Sequence, residues 1–369
     1  MTNSPLVVLA APVLERGYGV ATVALAQERL LREAGFRVQM ISMRAGDGAS
    51  PDLLRAPPMP FGFSEICRSM GAGLAIVHGP PFLTTVATVG LDIVHWEHGL
   101  VFPEFLREPY ATRARRELST RVSQCRKAGL VVCPSRTLAD RLELPLARVI
   151  PNGADHLPLP VVSRNPAERI LLAVLRTGPV EDQYKGLPDL LELPSRLGPR
   201  HPWTLRVVLT GPGDADRALR EAGWTVFRST SREELGRHFA ESSAYLAPSR
   251  CESFDLPLVE AQRAGAAGLA YHGSAHPETC PHLYGSVEEA AQILGRWDRG
   301  GLEAAREASL HHAAPFTWEN HGRALVSLVR ERLTIPVTLT PVLRARTVFW
   351  RLWWAAGSAA YDLGRKCLR

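Results

Sequence analysis

Lysine is nearly missing from this chain. Of the 43 basic residues behind its net charge of +6, only Lys127, Lys185 and Lys366 are lysine, which singles each of them out. Cysteine is sparse and unpatterned. Cys67, Cys125, Cys133, Cys251, Cys280 and Cys367 show no C-x-x-C spacing, which argues against a thiolate metal site and fits a reducing, cytoplasmic compartment. No apolar run reaches the ~20 residues of a membrane span. The N-terminus has no basic segment before its short apolar run, so that run reads as a first strand and not as a signal peptide. No DNA- or RNA-binding motif is present, so nucleic acid is not an expected partner. The positive charge is instead expected to meet a nucleotide, a lipid phosphate or an anionic membrane surface.

What is present suits two α/β domains. The chain has 369 residues, 46% apolar and 22% charged, enough for two sizeable cores. Residues 6–10, 36–41, 75–79, 91–99 and 130–135 read as strands, with helices over 20–34 and 107–126; this is a doubly wound order. Residues 44–62 are Gly/Pro-rich and read as loop. Pro151-Asn152-Gly153 makes a tight turn, and a Pro-rich linker follows. The alternation then restarts. Strand 169–175 ends at Arg176, Lys185-Gly186 opens a helix, 205–209 runs into Gly211, and 224–228 is a further strand. The expected divisions are 1–155, a linker at 156–168, 169–315, a crossover helix at 316–333 and an extension at 334–369.

The most informative stretch is Cys251-Glu252-Ser253-Phe254-Asp255-Leu256-Pro257-Leu258-Val259-Glu260, closing at Gly265. It follows a short apolar strand. Asp255 reads as an N-cap, with Pro257 in the first turn of a helix. Glu252 is then in a loop at the carboxyl end of a strand, where open parallel sheets bind ligands, and the helix start offers N–H groups to an anion. Two carboxylates beside an anion site suit a ligand carrying both phosphate and hydroxyls.

That string, with seven residues between its two glutamates and Phe and Leu-Pro among them, resembles the signature of the retaining glycosyltransferases of the GT-B fold, family 4. Other strings match the same family in order: Gly17 and Gly19 in the first loop, His98-Gly99, Pro151-Asn152-Gly153-Ala154-Asp155, Arg176 with Lys185-Gly186, Gly273 to Pro277-Glu278, and Phe316-Thr317-Trp318. The resemblance implies two Rossmann-like domains facing each other across a cleft, and transfer of a sugar from a nucleotide-diphosphate sugar without a metal or other cofactor. It implies that Arg176 and Lys185 hold the diphosphate and that Glu260 takes ribose hydroxyls. Glu252, Ser253, Phe254, Asp255 and Leu256 would hold the donor sugar, and the Gly211 loop would lie by ribose or phosphate. Val226, Phe227 and Arg228 would read the base, and His98 with Gly17 and Gly19 would close the site. His95 competes with His98 if the strand register differs. Asp255 departs from the family's usual glycine, and a carboxylate there would repel a diphosphate if it pointed inward. A GT-B epimerase or phosphorylase, or a non-catalytic binding protein on the same scaffold, are the alternatives. The separate Arg…Lys-Gly and Glu…Glu pairs favour transfer, and the resemblance implies a glycan or lipid-linked acceptor.

Two segments lie outside the signature. Residues 107–126 are strongly basic, with Arg113, Arg115 and Arg116 clustered. In the extension, Trp350, Trp353 and Trp354 stand beside arginines, with an apolar helical face opposite a basic one. Either segment could meet the inner face of a membrane. Otherwise the first is a solvated helix face and the second packs on the first domain.

Overall fold

The computed structural model describes residues 5–15, 19–46, 52–83, 91–160, 168–228, 231–333, 350 and 352–357. Gly17, most of the linker and most of the extension, including Arg344 and residues 358–369, lie outside the described residues.

The first half runs β1 (Leu6–Leu14), α1 (Gly19–Glu33), β2 (Arg37–Ala45), β3 (Leu54–Arg55), α2 (Phe63–Ser69), β4 (Ala72–Val77) and β5 (Asp92–Trp96). It continues with α3 (Tyr110–Cys125), β6 (Leu130–Cys133), α4 (Arg136–Arg141) and β7 (Arg148–Val149). The second half runs β8 (Arg169–Arg176), α5 (Leu187–Leu197), β9 (Trp203–Thr210), α6 (Asp216–Glu221), β10 (Thr225–Arg228), α7 (Arg232–Glu241), β11 (Ala244–Ala247) and α8 (Leu256–Arg263). It ends with β12 (Ala267–Tyr271), α9 (His276–Thr279), β13 (Leu283–Tyr284), α10 (Val287–Arg296), α11 (Leu302–Ala313) and α12 (Trp318–Arg332).

These strands form two parallel sheets, in the orders β3-β2-β1-β4-β5-β6-β7 and β10-β9-β8-β11-β12-β13. In each, the first strand of its half lies inside the sheet. Val7, Val8, Leu9 and Ala10 are fully buried, as a strand covered by helices on both faces requires. β1 and β2 run further than the apolar pattern suggests, because their ladder continues through Val13↔Arg44 and Leu14↔Ala45. The expected loop at 44–62 therefore contains the end of β2 and all of β3.

The last long helix returns to the first lobe. Leu325, Leu328 and Val329 of α12 are buried in the β1–β4 core. Arg332 grips Asp92 through two bonds of 2.6 and 2.7 Å, and Asp155 accepts from Trp318 N at 2.8 Å. The helical residues 352–357 also belong to the first lobe. Trp354 is buried against Phe63, and its Nε1 donates to Phe61 O at 2.8 Å. Trp350 and Trp353 pack on the same cluster. Of the two uses left open for these tryptophans, packing on the first domain is the one the structure displays. No helix among the described residues is long and apolar enough to cross a membrane.

Candidate active site

The carboxyl ends of both sheets meet across a cleft. β8 delivers Arg176, β11 delivers the Glu252 loop and the start of α8, and β5 delivers His98. A cavity of about 310 Å³ lies between them. Arg176, Lys185 and Glu252 line it from the second lobe, with Ser253, Phe254, Asp255 and Leu256, and Gly19 and His98 line it from the first. The lobes touch at this point. Ser253 Oγ donates to His98 O at 2.7 Å, and a Cβ on Gly99 would stand 2.8 Å from Ser253 Cβ. A second closure lies at α9, where the Glu278 carboxylate accepts from Arg136 N (2.8 Å), Thr137 N (2.7 Å) and Thr137 Oγ1 (2.6 Å) at the start of α4.

Local structure explains why Lys185 and Glu252 converge. Gly186 caps α5 with a φ of 83°. A Cβ there would fall 2.2 Å from Pro248 O, so only glycine lets the Lys185 loop press against the loop after β11. Arg250 seals the contact with a bidentate pair to buried Asp189 at 2.7 and 2.9 Å. Lys185 Nζ then reaches Glu252 Oε1 at 2.5 Å. Burial opposes the lysine's charge, but the Glu252 carboxylate outweighs it and raises the pKa above the usual lysine range. Arg176 is half exposed and holds Glu181 at 3.1 Å.

His98 is carried by a buried polar network. Glu97 is desolvated, which favours its protonated form. Bonds from His95 at 2.8 Å and Arg121 at 2.8 and 3.0 Å overcome this and hold it ionised, well below the usual carboxylate range. Glu97 also accepts from Gly99 N at 2.8 Å, which fixes the turn next to His98. His95, the competing histidine, is thus a wholly buried partner of Glu97. The His98 ring meets His78 at 2.8 Å. Burial pushes the His98 pKa down to about 3 against the pull of Glu97, so the ring is neutral. His98 also lines a second cavity of about 650 Å³ with His78, Trp96, Tyr110 and Arg113, and so stands where the two spaces join. His95, Glu97 and Cys125 are close enough to hold a metal ion. Arg121 already occupies the carboxylate, and the cluster acts as an ion-pair network beneath the His98 turn.

Several predicted residues stand apart from the cavity lining. Glu260 is buried on α8 beside His156, 3.3 Å from its Nε2. Burial raises the Glu260 pKa to about 8, with Arg232 opposing and Asp255 adding to the rise. The Arg228 guanidinium is spent on Asp216 at 2.7 Å, Gly211 O at 3.2 Å and Gly213 O at 2.6 Å. Val226 O accepts from Arg220, and Phe227 packs on His238. The β10 end and Gly211 thus form a braced edge next to the cavity. Conversely, Asn152 lines the cavity with its side-chain oxygen buried and unpartnered among the described residues. The Pro-Asn-Gly turn was the signal for it. His276, which grips Asp255, lies inside the Gly273–Glu278 string but is not singled out there as a site residue.

Residues 16–156 match the family model described as Glycosyltransferase Family 4. That match is confined to the first lobe, and the fold of the whole chain is GT-B. The chain is 28% identical over 160 residues to the D-inositol 3-phosphate glycosyltransferase of Thermobifida fusca, a match over 38% of this chain and about a third (35%) of that relative's length. Among solved structures it is similar to sucrose-phosphate synthase from Thermosynechococcus elongatus, with a TM-score of 0.72 at 18% identity over 89% of this chain and 98% of that one. The Anabaena protein HepE, solved with UDP and glucose, gives a TM-score of 0.70 at 14% identity over 88% of this chain and 99% of that one.

Proposed function

We propose that the protein is a retaining glycosyltransferase that moves a sugar from a nucleotide-diphosphate sugar to a glycan or lipid-linked acceptor hydroxyl without a metal. The convergence of Arg176, Lys185 and the start of α8 on one interlobe cavity faced by His98 carries this reading. The two cations, with the Leu256 N–H at the start of α8, take the diphosphate and stabilise the charge left on it as the sugar departs. Glu252, already tied to Lys185, turns with the Ser253–Leu256 loop toward the sugar hydroxyls. The acceptor approaches through the larger cavity, and its hydroxyl attacks from the face the leaving group vacates, the donor phosphate helping to take the proton. Neutral His98 orients sugar or acceptor by hydrogen bonds. Buried free cysteines suit a cytoplasmic site of action. A lipid-linked acceptor would bring exposed Arg113 and Arg116 of α3 to an anionic surface, which flotation with anionic vesicles tests.

The central test is Lys185→Ala, assayed after a thermal-shift screen of UDP-, GDP-, ADP- and CMP-sugars finds the donor. Transfer should fall by about 100-fold or more. Unfolding is followed in parallel, because the change leaves Glu252 without its partner. Transfer that survives the substitution overturns the reading, and so does a protein that binds no nucleotide.

A further inference from the structure

Asp255 occupies the end of α8 that faces the cavity, in a left-handed backbone conformation with φ 66°. Both of its oxygens are engaged. Oδ1 accepts from Leu258 N at 3.3 Å, and Oδ2 lies 3.0 Å from His276 Nε2. The other ring nitrogen of His276, Nδ1, lies 2.8 Å from Tyr271 O. A carbonyl oxygen only accepts, so Nδ1 carries a proton. An ionised carboxylate only accepts, so Nε2 carries one as well. A proton shared between the two groups belongs on the histidine, since carboxylic acids are stronger than imidazolium by ~2.5 pH units. His276 is completely buried behind the cavity wall. Burial disfavours its charge, yet the Asp255 bond and the carboxylates of Asp255 and Glu252 keep its pKa above the ordinary histidine range. Lys185 and Glu260 also face Asp255.

We propose that His276 is a positioning residue, an imidazolium that cancels the charge of Asp255 and so leaves the end of α8 able to receive a pyrophosphate. This rests on the nucleotide-sugar reading above. An Asp alone at this helix end would oppose the ligand's charge, and a Gly would need no partner. With both residues present, the carboxylate caps the helix and stays turned toward the imidazolium.

The test uses full-length protein with His276→Leu, His276→Gln, Asp255→Gly and the Asp255→Gly/His276→Leu double substitution. Nitrogen-15 spectra of the wild type should show both His276 ring nitrogens protonated at pH 6.5, where an ordinary histidine is half deprotonated. Calorimetry with inorganic pyrophosphate, UDP, GDP and ADP should show weaker binding by about 10- to 100-fold in His276→Leu. His276→Gln keeps an N–H donor without the charge and should be similarly impaired; it also stands in if the leucine variant does not fold. The double substitution should bind nearly as well as wild type, a rescue that a merely structural histidine would not allow. A singly protonated ring, or a double variant no better than His276→Leu, overturns the proposal. If nucleotides bind and this pattern is missing, the proposal falls and the transferase reading stands. If pyrophosphate alone binds with this pattern, the reverse holds. If nothing binds, both fall.

Discussion

Glu260→Gln is the sharpest probe of the electrostatics at the cleft. The folded protein holds a proton on Glu260 up to about pH 8, whereas an ordinary glutamate releases it near 4.5. Between those values the folded chain keeps a proton that the unfolded chain has lost. The stability this contributes is complete below pH 4.5 and is lost as the pH rises through 8. His156 acts in the opposite sense. Burial lowers it from 6.5 to about 4, so below pH 6.5 the unfolded chain takes up a proton that the folded chain refuses. Both proteins carry His156, and the interval from pH 6.5 to 8 isolates Glu260. At ~1.4 kcal/mol per pH unit, wild type should lose about 2 kcal/mol relative to the glutamine variant across that interval. The amide is nearly isosteric and does not titrate. Urea unfolding of both proteins at the two ends of the interval measures the difference. A stability difference that does not change with pH, or one that moves in wild type's favour, refutes the placement of a neutral carboxyl between α8 and His156.

Other substitutions test neighbouring features. Trp354→Ala should cost about 3–5 kcal/mol in unfolding free energy, because it empties a filled site in the first-lobe core and strands Phe61 O; a change within error would mean the helix at 352–357 is not docked in solution. Glu97→Gln should destabilise by about 3–5 kcal/mol by leaving Arg121 buried without its counter-charge, with transfer lost through the misplaced His98 turn. Gly186→Ala should weaken nucleotide binding along with stability, since the new Cβ meets Pro248 O; unchanged calorimetry would exclude the close approach.

Much of the site was legible because its chemistry is local. Lys185-Gly186, the Glu252 loop and the Asp255 cap each depend on a few adjacent residues, and the spacing of Pro257 and Gly265 marks the helix between them. Choosing between His95 and His98 needed the end of β5: the strand stops at Trp96, so His95 stays inside the sheet and His98 reaches the cavity. The long-range pairings left no such trace. His276 meets Asp255 across 21 residues of sequence, and Glu278 meets Thr137 across 141. Arg228 shows the opposite failure. At a strand end it resembles a ligand contact, but nearby Asp216 and two carbonyls consume its donors. The lengths of β1 and β2 depend on each other and not on either apolar run alone.

One short element has a consequence for turnover. α9 is four residues long, yet its first residue steadies the donor end of the cleft while its third is bolted to the opposite lobe through Glu278. A motion that pries the halves apart must pull on this fastener as well as on the Ser253–His98 contact. On the proposed function, unlatching the lobes would therefore also disturb the charge that a departing nucleotide meets.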